Sequence, residues 1–250
     1  MSRPEERLAE RLSRARRVTA ITGAGVSAAS GIPTFRGAQG LWRSFRPEEL
    51  ATPEAFARDP GTVWEWYAWR RELVSRARPN RAHEILAGWS RSRRFERFAL
   101  VTQNVDGLHE RAGTRGVIRF HGSLFEVGCW NACRGSPRRW PDERVPFPEM
   151  PPRCPHCGGL LRPGVVWFGE AIPPEALSAS LDALDCDVCL VVGTSSVVYP
   201  AAGLAAEAKR RGAFTVEVNP EATDVSASLD LAIAAPAEVA LDEVERLLNV

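Results

Sequence analysis

A short apolar run that ends in a glycine cluster constrains the fold of this chain more than any other feature. Residues 18–22 read as a buried strand, and Gly23, Ala24, Gly25 and Ser27 follow it at once. A strand that turns tightly into a helix can rest a dinucleotide pyrophosphate on the backbone N–H groups of the turn. The same residues would also fit a turn that binds no ligand and needs glycine only for its backbone angles. This motif therefore predicts a βα unit and leaves its ligand open.

The rest of the chain continues the alternation of strand and helix. Three further apolar runs fit strands, at residues 98–102, 188–192 and 215–218. Helical patterns occur at residues 3–17 and 200–211. This alternation predicts an α/β fold with a Rossmann-like, doubly wound parallel sheet. Ligands of such sheets bind at the carboxyl ends of the strands, where Gln103, Gly193 and Asn219 fall.

Four of the six cysteines form two close pairs. Cys129 and Cys133 have three residues between them, Cys154 and Cys157 have two, and twenty residues separate the pairs. Four thiolates at such spacing predict a tetrahedral zinc site, and a site with four protein ligands is structural rather than catalytic. Cys186 and Cys189 lie at an apparent buried strand, where packing explains them better than metal.

Two segments interrupt the α/β pattern and read as insertions. Residues 47–88 look helical, and residues 126–163 are rich in cysteine, proline and arginine. We predict a Rossmann-like domain built from residues 1–46, 89–125 and 164–250, a helical insertion, and a smaller zinc-binding module. The module has few apolar residues of its own, so we expect the metal to supply part of its stability.

The charge balance excludes some partners. Lys and Arg total 32 against 31 Asp and Glu, for a formal charge of +1, so no global field favours nucleic acid or an anionic membrane. Arginines near the cysteines would suit a nucleic-acid-binding zinc ribbon, although a charge run is usually a solvated face. The first 17 residues lack the apolar run of a secretory signal. We expect a cytoplasmic protein without nucleic-acid or membrane partners.

Four blocks follow one another along the chain, and they read GAGVSAASGIPTFRG at 23–37, TQNVDGLH at 102–109, HGS at 121–123 and GTSS at 193–196. In this order they resemble those of the sirtuin family of NAD-dependent protein deacylases. The resemblance covers nearly the whole chain, from about residue 18 to residue 239. It implies an enzyme that cleaves NAD at the glycosidic bond and transfers the acyl group of a protein lysine to ADP-ribose. The products would be nicotinamide, an O-acyl-ADP-ribose and free lysine.

The resemblance also assigns roles. His121 would be the general base, because imidazole titrates near neutral pH and can take a ribose hydroxyl proton. Asp106 would bind the nicotinamide carboxamide, Gln103 the nicotinamide ribose, and Asn104 would position that ribose. An ordinary loop with an Asx turn is the alternative for these polar residues.

Further cofactor contacts follow from the same alignment. Phe35 would shield the reactive carbon from water, and the later residues would contact the adenosine half. The set adds Thr34, Phe35, Arg36, Trp42, Val105, Gly193, Thr194, Ser195, Asn219, Pro220, Glu221 and Ala237.

The acyl-lysine substrate would bind as an extended strand against Val166, Trp167 and Phe168. Tyr67 and Arg70 lie three residues apart in a predicted helix, so both can point into one pocket.

This pair matches the Tyr-x-x-Arg pair of the class III branch, which removes succinyl, malonyl and glutaryl groups. Arg70 would hold the distal carboxylate, Tyr67 would add a hydroxyl donor, and Ala51 would leave room for the longer chain.

Three alternatives stay open. Arg71 and Arg76 in the same helix allow a solvent-exposed, ion-pairing role for Arg70. A protein ADP-ribosyltransferase would use the same NAD site. A non-catalytic sensor of NAD or of acyl-lysine proteins and peptides would bind without turnover. Acetyl-lysine remains a further candidate substrate.

Overall fold

The computed structural model describes residues 2–34 and 46–249. Its α-helices are α1 Pro4–Arg14, α2 Pro47–Leu50, α3 Pro53–Arg58, α4 Pro60–Arg76, α5 Arg81–Arg91, α6 Leu108–Arg111, α7 Pro174–Ala183, α8 Gly203–Arg210 and α9 Ala237–Leu248. Its strands are β1 Arg17–Thr22, β2 Arg97–Thr102, β3 Val117–Arg119, β4 Gly122–Cys129, β5 Trp140–Pro141, β6 Leu161–Val165, β7 Val188–Val192, β8 Phe214–Val218 and β9 Leu231–Ile233.

Parallel strands form the main sheet in the order β3-β2-β1-β7-β8-β9. Counted within this sheet, the order is 3-2-1-4-5-6, which is that of doubly wound dinucleotide-binding folds. The predicted fold class is therefore confirmed. The four predicted strands appear as β1, β2, β7 and β8, each with at most one additional residue.

Helices cover both faces of this sheet. On one face, α1, α5 and α9 share a buried cluster with Ala20 and Leu190. On the other face, α7 and α8 pack with Ile21 and Cys189. Neighbouring residues of a strand point to opposite faces, so a sheet buried on both sides needs apolar residues throughout. This explains the unbroken apolar run of β7.

The two insertions share one core. The antiparallel sheet β5-β4-β6 packs on α3 and α4, where Phe56 and Trp64 lie among its buried side chains. The Trp64 indole N–H donates to the Leu161 carbonyl at 2.7 Å. We call residues 47–76 and 122–165 together the small region. This core adds to the stability that the metal gives the small region. Helix α5, which begins within the predicted helical insertion, packs on the main sheet instead. The domain boundaries given above stay a prediction.

Arg71 ties helix α4 to the small sheet. Its side chain is 1% exposed, and its guanidinium donates to the carbonyls of Leu124 at 2.9 Å, Arg144 at 3.3 Å, and Asp142. Burial lowers its pKa to about 10, so it remains charged at neutral pH. A buried charge is tolerated where such partners satisfy it. No local sequence pattern marked this buried role of Arg71.

The predicted first helix, residues 3–17, is wrong at its end. Helix α1 ends at Arg14, and Arg17 already belongs to β1. The Asp187 carboxylate accepts hydrogen bonds from the backbone N–H groups of Arg16 and Arg17, both at 2.8 Å. That contact joins the start of β1 to the residue before the neighbouring strand β7, and the local helical pattern gives no sign of it. Within the described ranges, each helix is too short or too polar to traverse a lipid bilayer.

Candidate active site

A cavity of about 790 Å³ lies between the main sheet and the small region, a size typical of ligand sites. On the sheet side it is lined by Gly23, Ala24, Gly25, Thr34, Gln103, Asn104, Val105, His121, Gly193, Thr194, Ser195, Asn219, Pro220, Glu221 and Ala237. On the other side it is lined by Ala51, Tyr67, Arg70, Val166, Trp167 and Phe168. Ser27 and Asp106 are buried behind the wall. Phe35, Arg36 and Trp42 lie outside the described residues.

The glycine motif crosses the end of β7 at contact distance. A Cβ on Gly25 would lie 2.7 Å from the Gly193 Cα, and one on Gly193, at φ +60°, would lie 2.4 Å from the Val26 nitrogen. The N–H groups of Gly23 and Gly25 donate to the carbonyls of Val192 and Gly193, at 3.0 and 2.7 Å. Glycine is therefore required by this crossing. Because these two N–H groups are already bonded within the protein, they are not free for a pyrophosphate.

Behind that crossing, polar side chains form a buried network. The Ser27 hydroxyl donates to Asp106 at 2.8 Å, and the Asn104 amide donates to the Gly23 carbonyl at 2.9 Å. Asp106 also accepts the Leu108 N–H at 2.9 Å, so the Asx turn considered above is present. Burial raises the pKa of Asp106. The network fixes Asn104 at the cavity wall, with its side-chain oxygen unpaired among the described residues.

His121 lines the cavity with one nitrogen already committed. Its Nδ1 lies 3.1 Å from the Gln103 carbonyl oxygen, which can act solely as an acceptor, so Nδ1 carries the proton. Nε2 then carries the lone pair in the neutral ring. Burial lowers the pKa of His121, with the hydrogen bond that its Nδ1–H donates to the Gln103 carbonyl opposing this. The ring is therefore neutral near pH 7 and able to accept a proton.

Helix α4 contributes two buried polar side chains at the opposite wall. Tyr67 is 2% exposed and Arg70 is 8% exposed, which excludes the solvent-exposed role considered for Arg70. The Arg70 guanidinium lies over the Trp66 ring, 4.7 Å from its centroid. Burial lowers the pKa of Arg70, but arginine keeps its proton in proteins. A positive charge thus lies at the wall of the cavity.

The segment after β6 joins the two walls. The Val166 N–H donates to the His121 carbonyl, and the Phe168 N–H donates to the Ala51 carbonyl, both at 2.9 Å. Phe168 is 40% exposed, whereas Trp167 is 2% exposed. Alternate residues of this segment therefore face the opening and the core. The base and the predicted acyl pocket are connected through a single stretch of chain.

The four predicted cysteines converge. Their sulfur atoms all lie within 4.8 Å of one another, with Cys129 and Cys157 at 3.6 Å and Cys133 and Cys154 at 3.9 Å. Zn–S bonds of about 2.3 Å in a tetrahedron place sulfurs about 3.8 Å apart, so the donor set fits one zinc ion. Ala132, at φ 44°, takes up the additional residue of the first pair. The longer spacer thus leaves the ligand geometry intact.

Two histidines beneath the glycine crossing escaped the sequence interpretation. The His83 and His109 rings are 4.8 Å apart and almost fully buried. His109 Nε2 lies 2.9 Å from the Thr22 hydroxyl, and His83 Nε2 lies 3.4 Å from the Ser27 hydroxyl. Burial lowers the pKa of His83 to about 4 and that of His109 well below 6.5. Their hydroxyl partners Thr22 and Ser27 lie far away in sequence, whereas His83 Nδ1 also accepts the backbone N–H of Asn80 at 3.3 Å, at the start of α5.

Fold and site together define a protein with a dinucleotide-type sheet, a partly buried neutral imidazole and a four-thiolate metal site. The chain belongs to the Sir2 family, whose model matches residues 23–200, as the sequence blocks predicted.

Similar proteins include the NAD-dependent protein deacylase of Aquifex aeolicus, 51% identical over 228 residues, which are 91% of this chain and 93% of the relative. NAD-dependent protein deacylase 1 of Archaeoglobus fulgidus is 48% identical over 245 residues, 97% of each chain. The crystal structure of a Sir2 homologue–NAD complex superposes with a TM-score of 0.88 at 46% identity, covering 98% of this chain and 94% of that one.

Proposed function

We propose that this chain removes acyl groups from protein lysines at the expense of NAD, with a preference for acyl groups that end in a carboxylate. Succinyl and malonyl are the expected substrates, with glutaryl and acetyl as further candidates. Relatives that match it over nearly their full length are named NAD-dependent protein deacylases. The cytoplasmic location expected from the sequence stays a prediction.

One observation carries the proposal. A single cavity holds a neutral imidazole with its Nε2 lone pair available, the glycine crossing on one side and the buried Arg70 on the other. Such a cavity can bring a dinucleotide ribose and an acylated lysine to the same base. In general acid–base catalysis a positioned side chain of this kind contributes about 10²- to 10⁴-fold to the rate.

NAD, when bound, supplies a ribose hydroxyl and a leaving nicotinamide. His121 Nε2 would take the proton of that hydroxyl, and the Gln103 carbonyl would stabilise the resulting imidazolium through Nδ1–H. Asn104, held by the Gly23 carbonyl, would present its side-chain oxygen to the ribose. The tie between Val166 and His121 would keep the acyl-lysine beside the base. The four cysteines would hold one structural zinc.

The carboxylate preference follows from charge. A guanidinium in a desolvated pocket interacts with a carboxylate far more strongly than at the surface, because little water screens the pair. An acetyl group has no carboxylate with which this charge could pair. We therefore expect succinyl-lysine to be the better substrate, through interactions at the distal end of the acyl chain.

The test combines product masses with peptide kinetics. The protein is incubated with NAD and a succinyl-lysine peptide, and loss of the acyl mass with nicotinamide release supports deacylation. ADP-ribosylated protein would support a transferase, and unchanged components a sensor. Arg70→Met should lower kcat/KM for the succinyl peptide about 10- to 100-fold, with a smaller effect on acetyl. Arg76→Met is the matched control, because Arg76 is 76% exposed on the same helix. Equal wild-type rates on both peptides would remove the preference.

A further inference from the structure

We propose that Trp167 sets the acyl preference of this site by turning the Tyr67 hydroxyl into a dedicated hydrogen-bond donor. Trp167 is in this view a positioning residue that acts through Tyr67. The inference rests on the proposed function, because it concerns the acyl pocket of that same reaction.

The argument begins with a contact between two buried side chains. The Trp167 indole N–H lies 2.9 Å from the Tyr67 hydroxyl oxygen, and both residues are 2% exposed. An indole N–H can donate and cannot accept, whereas a phenolic hydroxyl can do either. Tyr67 is therefore the acceptor in this bond. Its own proton must point elsewhere, and among the residues that the structure describes none accepts it.

The hydroxyl also keeps that proton. Burial raises the pKa of Tyr67 to about 12, although Arg70 and the bond from Trp167 work in the opposite direction. Tyr67 and Arg70 both line the cavity from helix α4. This wall thus presents an O–H and a guanidinium, which are both donors. A carboxylate, which accepts in all its hydrogen bonds when ionised, is the acyl terminus that can accept from both donors.

Trp167 itself is held from three sides. Its backbone N–H donates to the Glu170 carboxylate at 2.8 Å, and the Arg162 guanidinium stacks 3.8 Å from the indole centroid. Arg162 and Glu170 are in turn ion-paired, and one of their two contacts joins Arg162 Nη2 to Glu170 Oε2 at 2.8 Å. The Phe56 ring packs on the indole at a centroid distance of 5.3 Å. Because the indole cannot turn away, the direction of its N–H is fixed before any substrate binds.

The inference predicts a specific defect in Trp167→Phe, which keeps an aromatic ring and removes the N–H. The Tyr67 hydroxyl is then free to rotate and must be ordered by the substrate. We expect the ratio of kcat/KM for succinyl over acetyl peptides to fall about tenfold, mainly through KM. Trp130→Phe is the control, because Trp130 packs on Trp167 with ring centroids 6.3 Å apart and makes no bond to Tyr67. It should leave the ratio unchanged.

A double-mutant cycle separates this role from simple packing. In a Tyr67→Phe background, Trp167→Phe should cause no further fall in the ratio, because the hydroxyl through which it acts is gone. Additive losses, or equal losses on both peptides in the single variant, would overturn the role of Trp167 and leave the preference due to Arg70 standing. A wild-type protein without any preference would overturn both.

A second variant guards against misfolding of Trp167→Phe. Glu170→Gln keeps the shape of the side chain but removes the charge that pairs with Arg162 and receives the Trp167 N–H. It should lower the same ratio by a smaller factor, again with no further effect in the Tyr67→Phe background. A loss that persists in that background would contradict the inference. Thermal unfolding of each variant reports whether the fold is kept.

Discussion

The two ends of the cavity are built from different materials. At the dinucleotide end, where β1, β2, β7 and β8 terminate, backbone forms part of the wall, because Gly23, Gly25 and Gly193 cross in contact. At the acyl end the wall consists of the side chains of Tyr67, Arg70 and their neighbours. A new side chain at the glycine crossing would disturb the fold, whereas under the proposed function one at the second end would change which acyl group fits. We therefore expect binding of NAD and choice of substrate to vary independently.

Removing the zinc should have the largest effect on stability. The acyl end of the cavity should lose its structure first. That end rests on the small region, whose core includes Cys129 and Cys154, whereas the main-sheet clusters include none of the four ligands. Structural zinc contributes on the order of 10 kcal/mol in zinc-finger peptides. We expect a chelator to release one zinc per chain and to abolish the near-ultraviolet circular dichroism of the small region's tryptophans. Helical signal from the main domain should persist, and its simultaneous loss would show that the two ends fold as one unit.

Replacing the base should affect both ends equally. His121→Ala is expected to lower kcat/KM about 10²- to 10⁴-fold, by the same factor on succinyl and acetyl peptides, because both reactions need the same proton transfer. The measurement is a pair of peptide assays on each variant. Arg70→Met serves as the contrasting variant, since it should change the ratio. Unequal losses in His121→Ala would mean that the base also contributes to acyl choice.

The dinucleotide end should lose stability in mild acid. His83 has a pKa of about 4 in the folded protein and about 6.5 when unfolded, so the unfolded chain binds the proton more tightly. The stabilisation is complete above pH 6.5 and is lost as the pH falls towards 4, about 2 kcal/mol by pH 5. His109 should add to this in the same direction. Urea unfolding at several pH values measures this loss of stability. A flat curve from pH 6.5 to 5 would contradict the neutral buried pair.

The smallest effect concerns a single methyl group. Gly193→Ala should destabilise the fold by about 2 kcal/mol, because the new Cβ meets the Val26 nitrogen and the residue sits at positive φ. Gly88→Ala, in helix α5 with nothing within 4 Å of the added carbon, should instead stabilise by about 0.5–1 kcal/mol. Denaturant midpoints compare the two. Equal midpoints would mean that the glycine crossing can shift to accommodate a Cβ, and that glycine is not required there.

Sequence was most informative where local pattern and structure coincide. The strands ending near Thr22 and Val192, and the four cysteines, follow from apolar runs and spacing alone. Contacts between distant segments had no such signal. The end of α1 depends on Asp187, and the bond from Trp167 to Tyr67 joins residues 100 positions apart. The sequence could nominate both members of that last pair, but their mutual orientation is a property of the packed core.

Arg70 and Arg71 are neighbours on one helix with opposite duties. Successive helical residues point about 100° apart, so one guanidinium reaches the cavity while the other is buried against three carbonyls of the small sheet. Arg71 thereby opposes rotation of helix α4 about its axis, which keeps the Arg70 side chain directed at the cavity. Under the proposed function, a substitution at position 70 would change acyl choice in an intact protein. A substitution at position 71 would leave the orientation of helix α4 less fixed. Every substrate that depends on that orientation would be affected, although position 71 contacts none of them.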